Sequence, residues 1–276
     1  MSISVVIPTY NRREFAFNAI ESVLNQTAHV GEIIVVDDGS QDGTSDAIKR
    51  HFPEVNLLVQ DRSGVSASRN RGIRAATSEW IALLDSDDVW LPQKISTQLA
   101  YANTHPHARL IHCDEHWVRN GRPLNQKSYH QKSAGDIFAR SLERCLISPS
   151  AVILKRDLFE QVGYFDESLP ACEDYDLWLR ITARFEVDYI DEKLITKHGG
   201  HPDQLSKTTW GLDRFRIRAL KNLLEGNLLD GRQRQLAAAM LKRKAGIFAQ
   251  GARKRGRNLE AQQYFEIARN AETICA

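Results

Sequence analysis

The chain has 276 residues, 42% apolar and 26% charged, an ordinary globular balance that suits one large α/β domain with an appendage. No run approaches the roughly 18 uninterrupted apolar residues of a membrane span, and the start Met1-Ser2-Ile3-Ser4-Val5 lacks the basic region and cleavage site of a secretory leader, so a cytoplasmic protein is expected. The net charge of +2 hides an asymmetry: residues 210–276 carry 14 Lys and Arg against 6 Asp and Glu, whereas residues 1–209 carry 23 against 29.

In chain order, residues 4–8 read as a buried strand. Residues 14–25 read as a helix, with Phe15, Ala19, Ile20, Val23 and Leu24 on one side. Residues 32–38 form a second strand ending in acids. A helix over 44–51, capped by Asp42 or Thr44, precedes a strand over 55–59, a helix over 66–76 and a strand over 80–84. Strand and helix alternate across short loops, which predicts a parallel, doubly wound sheet. Beyond Asp88 the pattern loosens to a helix over 92–104, strands over 109–117 and 148–154, and a helix through Val162. An amphipathic helix over 174–185 and short strands over 187–190 and 194–198 follow. From Leu212 the chain reads as two or three helices, broken near 226–230 and 251–258. Cys113, Cys145, Cys172 and Cys275 form no C-x-x-C pair and read as buried free thiols, not as a zinc site or disulfide framework.

The run Ile81-Ala82-Leu83-Leu84-Asp85-Ser86-Asp87-Asp88 carries the most chemistry: an apolar strand ends in three carboxylates. Ligands of open α/β sheets bind beyond the carboxyl ends of strands. Like charges crowded there need a cation, and a hard divalent ion, Mg²⁺ or Mn²⁺, carrying a diphosphate meets that need. Asp37 and Asp38 close the second strand. Gly64-Val65-Ser66-Ala67-Ser68-Arg69-Asn70-Arg71-Gly72 brings glycine, serine and arginine to a helix start, a composition suited to an anion. It is neither the P-loop nor G-x-G-x-x-G, so ATPase and NAD-binding readings lack their signatures.

Five segments together resemble the family 2 glycosyltransferases of the GT-A fold. They are Val6-Ile7-Pro8-Thr9-Tyr10-Asn11-Arg12, Val35-Val36-Asp37-Asp38-Gly39-Ser40, Gly64 to Gly72, Leu84-Asp85-Ser86-Asp87-Asp88 and Cys172-Glu173-Asp174-Tyr175-Asp176-Leu177-Trp178-Leu179-Arg180. The resemblance implies a Rossmann-like α/β fold, a mostly parallel central sheet flanked by helices, here with a C-terminal helical extension. Residues 1–209 would bind the nucleotide-sugar and catalyse, and residues 210–276 would form a basic helical region. The implied activity is inverting, metal-dependent transfer of a sugar from a nucleotide-sugar, usually a UDP-sugar, to an acceptor hydroxyl.

The resemblance also implies roles. Pro8, Thr9 and Tyr10 lie against the nucleoside, with Tyr10 near the uracil. Asp38 accepts from the uracil N3–H, a task suited to a group that only accepts when ionised. Asp85 contacts ribose or metal, Asp87 binds the metal, and Arg69 approaches the diphosphate. Asp174 is the general base and Glu173 shapes the acceptor site. In Lys197-His198-Gly199-Gly200-His201, His198 is favoured over His201 as a further metal ligand, although Pro202-Asp203-Gln204 interrupts the family's spacing to Ser206. Local chemistry offers plainer parts: an Asx turn at Asp38, a helix cap at Asp88, and an i,i+4 partner for Arg180 at Asp176.

Acceptor contacts are expected within 113–150, where the polar stretch 119–132 reads as a mobile loop. A lipid-linked or other saccharide acceptor, in surface-polysaccharide or glycolipid assembly, fits the family's habits. The basic tail reads first as a solvated helix face. Peripheral attraction to anionic lipid at the inner membrane face, or a homodimer contact, are sharper readings. No nucleic-acid module accompanies the charge. Two rivals differ in class. A nucleotidyltransferase would show a Gly-rich loop with a basic residue after the first strand. A non-catalytic nucleotide-sugar-binding or scaffold protein would have little use for both acid motifs.

Overall fold

The computed structural model describes residues 1–202 and 204–273. Four strands, Ile3–Thr9 (β1), Glu32–Asp37 (β2), Asn56–Val59 (β3) and Trp80–Leu83 (β4), alternate with helices Arg13–Leu24 (α1), Thr44–His51 (α2) and Val65–Ala75 (α3). The strands pair in parallel, in the order β3-β2-β1-β4. The central strand β1 is buried along its whole length, as a parallel strand covered on both faces must be. Val5 and Ile7 pack with Ile20 of α1 on one face, and Val6 packs with Ile73 of α3 on the other. Helix α3 approaches β1 so closely that a Cβ on Gly72 would stand 2.4 Å from Val6 Cγ1.

Beyond β4 the sheet is mixed. Val89–Trp90 (β5) leads to helix Lys94–Thr104 (α4), then to Leu110–Arg119 (β6), which returns through Asn120-Gly121 as Arg122–Leu124 (β7). Next come Phe138–Ser141 (α5), Val152–Lys155 (β8), Leu158–Val162 (α6), Glu173–Thr182 (α7), Asp188–Gly199 (β9) and Leu205–Thr208 (α8). Strand β8 joins the two halves by pairing antiparallel with β4 and with β6, while β9 runs parallel to β6 and antiparallel to β5. The parallel pattern therefore holds for the first four strands. The two strands expected over 187–190 and 194–198 are one: Asp191, Glu192 and Lys193 are exposed, and the strand continues through them with a shift of register against β6 between Ile190 and Ile195. The expected start at 148 is a 3₁₀ turn, Pro149–Ala151, before β8. The stretch 119–132, expected as loop, contains β7 and a 3₁₀ turn, Ser128–His130.

The chain ends in Asp213–Glu225 (α9), Gly231–Lys254 (α10) and Asn258–Thr273 (α11). Asp230 starts α10 with a reciprocal cap: it accepts from Gln233 N–H at 2.7 Å, and Gln233 Oε1 accepts from Asp230 N–H at 3.1 Å. These helices share an apolar core with α5 and α7, through Phe138, Leu142, Tyr175 and Leu179. Among the described residues, no helix is long and apolar enough to cross a membrane. Cys113 is buried, whereas Cys145 and Cys172 are only partly buried, which corrects the expectation for those two; Cys275 lies outside the described residues.

Candidate active site

Loops after β1, β2 and β4 meet the start of α7 and the end of β9. Asn11 adopts a left-handed φ of 48°, which Asn tolerates better than most residues. Its N–H donates to Ser40 Oγ at 2.8 Å and its Oδ1 accepts from Gln41 N–H at 2.7 Å, tying the loops after β1 and β2 together. Pro8 is buried within β1, in register with Val36. Thr9 Oγ1 is buried without a hydrogen-bond partner. The half-buried Tyr10 carries the Arg62 guanidinium 3.6 Å from its ring centroid. Asp37 is buried and accepts from Ser40 N–H at 3.0 Å and from the Ser45 hydroxyl. Asp38 accepts from Gln60 Nε2, Ser63 N–H and Gly64 N–H, each at 2.8 Å. Its carboxylate thereby holds the loop that carries Arg62 over Tyr10.

Arg69, on α3, is 3% exposed. Its Nη2 donates to Asp85 Oδ1 at 2.6 Å and its Nη1 to Glu173 Oε1 at 2.7 Å. Burial works against the guanidinium charge, but Asp85 and Glu173 more than offset it and raise the Arg69 pKa. Burial also lifts Glu173 above the usual carboxylate range; Arg69 opposes this and Asp174 adds to it. Both arms of Arg69 are occupied, so in this geometry it joins the Asp85 loop to α7.

Helix α7 begins sharply because Cys172 takes φ 60°. Its first turn presents Glu173, Asp174 and Asp176 to the positive end of the helix. Asp176 turns inward to Arg180 at 2.7 Å, and Leu177 and Trp178 are buried in the core. Asp174 stays partly exposed. Its Oδ1 accepts from Tyr175 N–H at 2.7 Å and its Oδ2 from the Cys145 thiol at 3.3 Å. Burial, then the Asp174 charge, push the Cys145 thiol well up, so it remains a protonated donor.

Asp87 draws in basic side chains. Its Oδ2 lies 3.2 Å from Arg12 Nη1 and 2.8 Å from His201 Nε2. His198 Nδ1 instead lies 3.1 Å from the Asp87 main-chain carbonyl. Both histidines reach this segment, but the carboxylate is met by His201, not by the favoured His198; Asp203 and the Ser206 side chain lie outside the described residues. Asp88 does not cap the next helix, which begins only at Lys94. It is 2% exposed and accepts from Ser150 Oγ at 2.6 Å and from His198 N–H at 3.0 Å. Burial, with Asp87 and Asp85 adding to it and Lys197 opposing, drives its pKa well above the usual range.

A buried chain of charges backs the site. Lys197 Nζ donates to Ser148 Oγ at 2.9 Å, Ser148 Oγ donates to Glu115 Oε1 at 3.1 Å, and Lys132 Nζ lies 3.1 Å from the same oxygen. Burial favours the neutral form of Glu115, yet Lys132 and Lys197 hold its pKa down to about 2. Burial likewise opposes the Lys197 charge, and Glu115, Asp88, Asp85 and Asp174 overcome it and raise its pKa.

The donor set suits a hard divalent ion: carboxylate oxygens at Asp85 and Asp87, with the His201 imidazole beside Asp87. Among the described residues no group of three such ligands is preassembled. Mg²⁺ held by one or two carboxylates and by substrate phosphates needs none.

The sequence model of the family described as Glycosyl transferase family 2 matches residues 4–163. The chain belongs to that family. The match covers four of the five sequence segments and ends before Glu173-Asp174. A Rickettsia felis relative, named an uncharacterized glycosyltransferase, is 32% identical over 200 residues, covering 70% of this chain and 32% of the relative. The chain thus spans about a third of that relative's length. Among solved structures, S. aureus TarS 1–349 in complex with UDP-GlcNAc aligns with a TM-score of 0.72 at 19% identity, over 99% of this chain and 91% of that one. The mannosyltransferase PcManGT from Pyrobaculum calidifontis, in complex with GDP-Man and Mn²⁺, aligns with a TM-score of 0.59 at 18% identity, over 96% and 85%. At those identities the likeness is one of fold, and the fold is the GT-A type.

Several members of this family 2 site carried no assigned role in the sequence. Arg12 closes a recognised segment and Lys197 precedes His198, so position flagged both. Cys145, Ser148, Ser150, Glu115 and Lys132 gave no signal, because only the folded sheet brings them to the acids.

Proposed function

We propose that this chain is an inverting, metal-dependent glycosyltransferase that moves a sugar from a UDP-sugar to an acceptor hydroxyl. The observation that carries this reading is the convergence of Asp85, Asp87, Glu173 and Asp174 on one site, with Arg69 joining Asp85 to Glu173. Asp174 takes the acceptor's proton as that oxygen attacks the anomeric carbon and the bond to the nucleoside diphosphate breaks on the opposite face. Pro8, Thr9 and Tyr10 border the nucleoside, and Asp38 orders the loop beside it and accepts from the base. Glu173, fixed by Arg69, sets the position of Asp174 and the edge of the acceptor site. Asp87 and His201, with Asp85 near them, would hold Mg²⁺ or Mn²⁺; when bound, the ion offsets charge on the departing diphosphate. The complexes of TarS with UDP-GlcNAc and of the mannosyltransferase with GDP-Man and Mn²⁺ support a nucleotide-sugar donor and a divalent ion.

In this reading residues 1–209 carry donor binding and catalysis, and the basic region 210–276 makes peripheral contact with a membrane's inner face or with a second copy. The acceptor is a saccharide, free or lipid-linked, in surface-polysaccharide or glycolipid assembly. Calorimetric titration of UDP and GDP, with and without Mn²⁺, into the wild type and Asp87→Ala tests the donor class. The expected result is Mn²⁺-dependent UDP binding that Asp87→Ala loses; metal-independent binding, or a preference for GDP, would overturn the corresponding part.

A further inference from the structure

We propose that Tyr129, His130 and Arg144 form an acceptor subsite beside Asp174 that takes a saccharide bearing a carboxylate or phosphate. This rests on the glycosyltransferase reading above and adds the acceptor's chemical class. Tyr129 is 48% exposed, so its ring is open to a ligand. Its ring meets His130 edge-on at 4.3 Å, and His130 meets Trp117 at 4.7 Å. Trp117 stands in register with Lys197, one position before the pair that contains His198. On the other flank Arg144 lies 4.5 Å from the Tyr129 ring centroid, and its chain neighbour Cys145 touches Asp174. The patch therefore runs from the strand that carries Lys197 and His198 to the segment that contacts the general base. The β6–β7 turn is pinned to the same region, since Asn120 N–H donates to Gly199 O at 3.1 Å.

The charge around the patch runs against its half of the chain. Residues 116–135 hold Arg119, Arg122, Lys127 and Lys132 and no Asp or Glu, although acids outnumber bases in residues 1–209. Lys132 is taken up by Glu115. Arg144 is not: among the described residues its one ionic contact, to Glu143 Oε1, is long at 3.5 Å. Most of its five N–H donors remain for a ligand, and a guanidinium grips carboxylate or phosphate by two parallel bonds. His130 Nδ1 is shut from solvent, so His130 serves the subsite by packing between Tyr129 and Trp117 and fixing the ring, not by bonding the ligand. The negative face of the Tyr129 ring attracts the polarised C–H edges of a sugar. Arg144 packs on the Tyr129 ring and Lys127 Nζ lies 5.8 Å from its centroid, so the ring is presented together with cations, a pairing that selects a sugar that is also an anion.

The test is ligand-observed NMR titration of the full chain with methyl β-D-glucuronide, methyl β-D-glucoside and inorganic phosphate, with UDP and Mn²⁺ titrated in parallel by calorimetry. The glucuronide is expected to bind about fivefold or more tightly than either control, and Tyr129→Ala and Arg144→Ala each to weaken it by about as much. Tyr129→Phe keeps the ring and should keep the affinity, and UDP affinity should not move in any of the three. Equal binding of glucuronide and glucoside, or binding indifferent to both alanine variants, overturns the subsite. Phosphate alone binding as tightly as glucuronide overturns the saccharide part and gives the patch to a bare phosphate such as a lipid headgroup. Uronide binding as expected with no UDP binding upholds the subsite and removes the donor reading alone.

Discussion

The two halves of the sheet build their shares of the site by different means. In the parallel half, carboxylates and amides chiefly hold main-chain N–H groups of nearby loops, with the Ser45 and Gln60 side chains as additional partners: Asp37 holds Ser40, Asp38 holds Ser63 and Gly64, and Asn11 holds Gln41. In the mixed half, side chains hold side chains: Lys197 with Ser148, Ser148 with Glu115, Glu115 with Lys132, Ser150 with Asp88, and Cys145 with Asp174. Backbone-held loops depend on short strings of turn residues. Side-chain networks depend on pairings that only the finished sheet creates, and their charges are costly when a partner is lost.

Chemistry separates the halves most sharply. Asp174→Asn should lower transfer by about 10²–10⁴-fold, the usual worth of a general base, while UDP affinity stays at the wild-type value; nucleoside diphosphate release and calorimetry measure the two. A parallel loss of UDP affinity would mean that Asp174 serves the donor side as well. Arg69 links the halves, and Arg69→Ala leaves Asp85 and the buried Glu173 without their cation. A cost of about 3–5 kcal/mol in urea unfolding is expected, with Arg69→Lys recovering only part, because an ammonium cannot span two carboxylates as a fork does.

Within the mixed half, Glu115→Gln leaves Lys132 and Lys197 without their shared anion, at about 3 kcal/mol. Its pH signature has a definite sign. The Glu115 pKa is depressed to about 2 from an ordinary 4.5, so its stabilisation is full above pH 4.5 and is lost as pH falls toward 2. Thermal melts over that window should fall more steeply for the wild type than for Glu115→Gln, and equal slopes would remove the pair from the account. Within the parallel half, Gly72→Ala forces a methyl against Val6 at 2.4 Å. It should cost about 1–3 kcal/mol by overpacking, read as a lowered urea midpoint, without the acid dependence of the Glu115 variant.

The same division explains what the sequence made legible. The four parallel strands and their helices were readable because each apolar run is short, continuous and bounded by turn residues. Asp38, Asp85, Asp87 and Asp174 stood out because they lie in short recognisable strings. Strand β9 was read as two because three consecutive charges mimic a loop; they lie where the strand slips in register against β6, which leaves all three exposed without ending the strand. Asp88 looked like a cap because a helix follows it, yet the intervening β5 carries the chain away and leaves Asp88 buried against Ser150. His198 was favoured because it heads a His-Gly-Gly string; in the structure it meets the Asp87 carbonyl, and the turn through Gly199-Gly200 brings His201 to the Asp87 carboxylate. The pairing of Glu115 with Lys132, and of Cys145 with Asp174, has no local pattern at all.

Strand β4 takes its second neighbour from β8, which lies far downstream. A chain that still lacks residues 152–155 therefore has nothing to pair with the outer side of Trp80–Leu83. An unpaired apolar edge is a template for pairing with another chain. A chain truncated before Val152 is expected to keep that edge unpaired and to aggregate more readily than the full chain, as light scattering of the two would show.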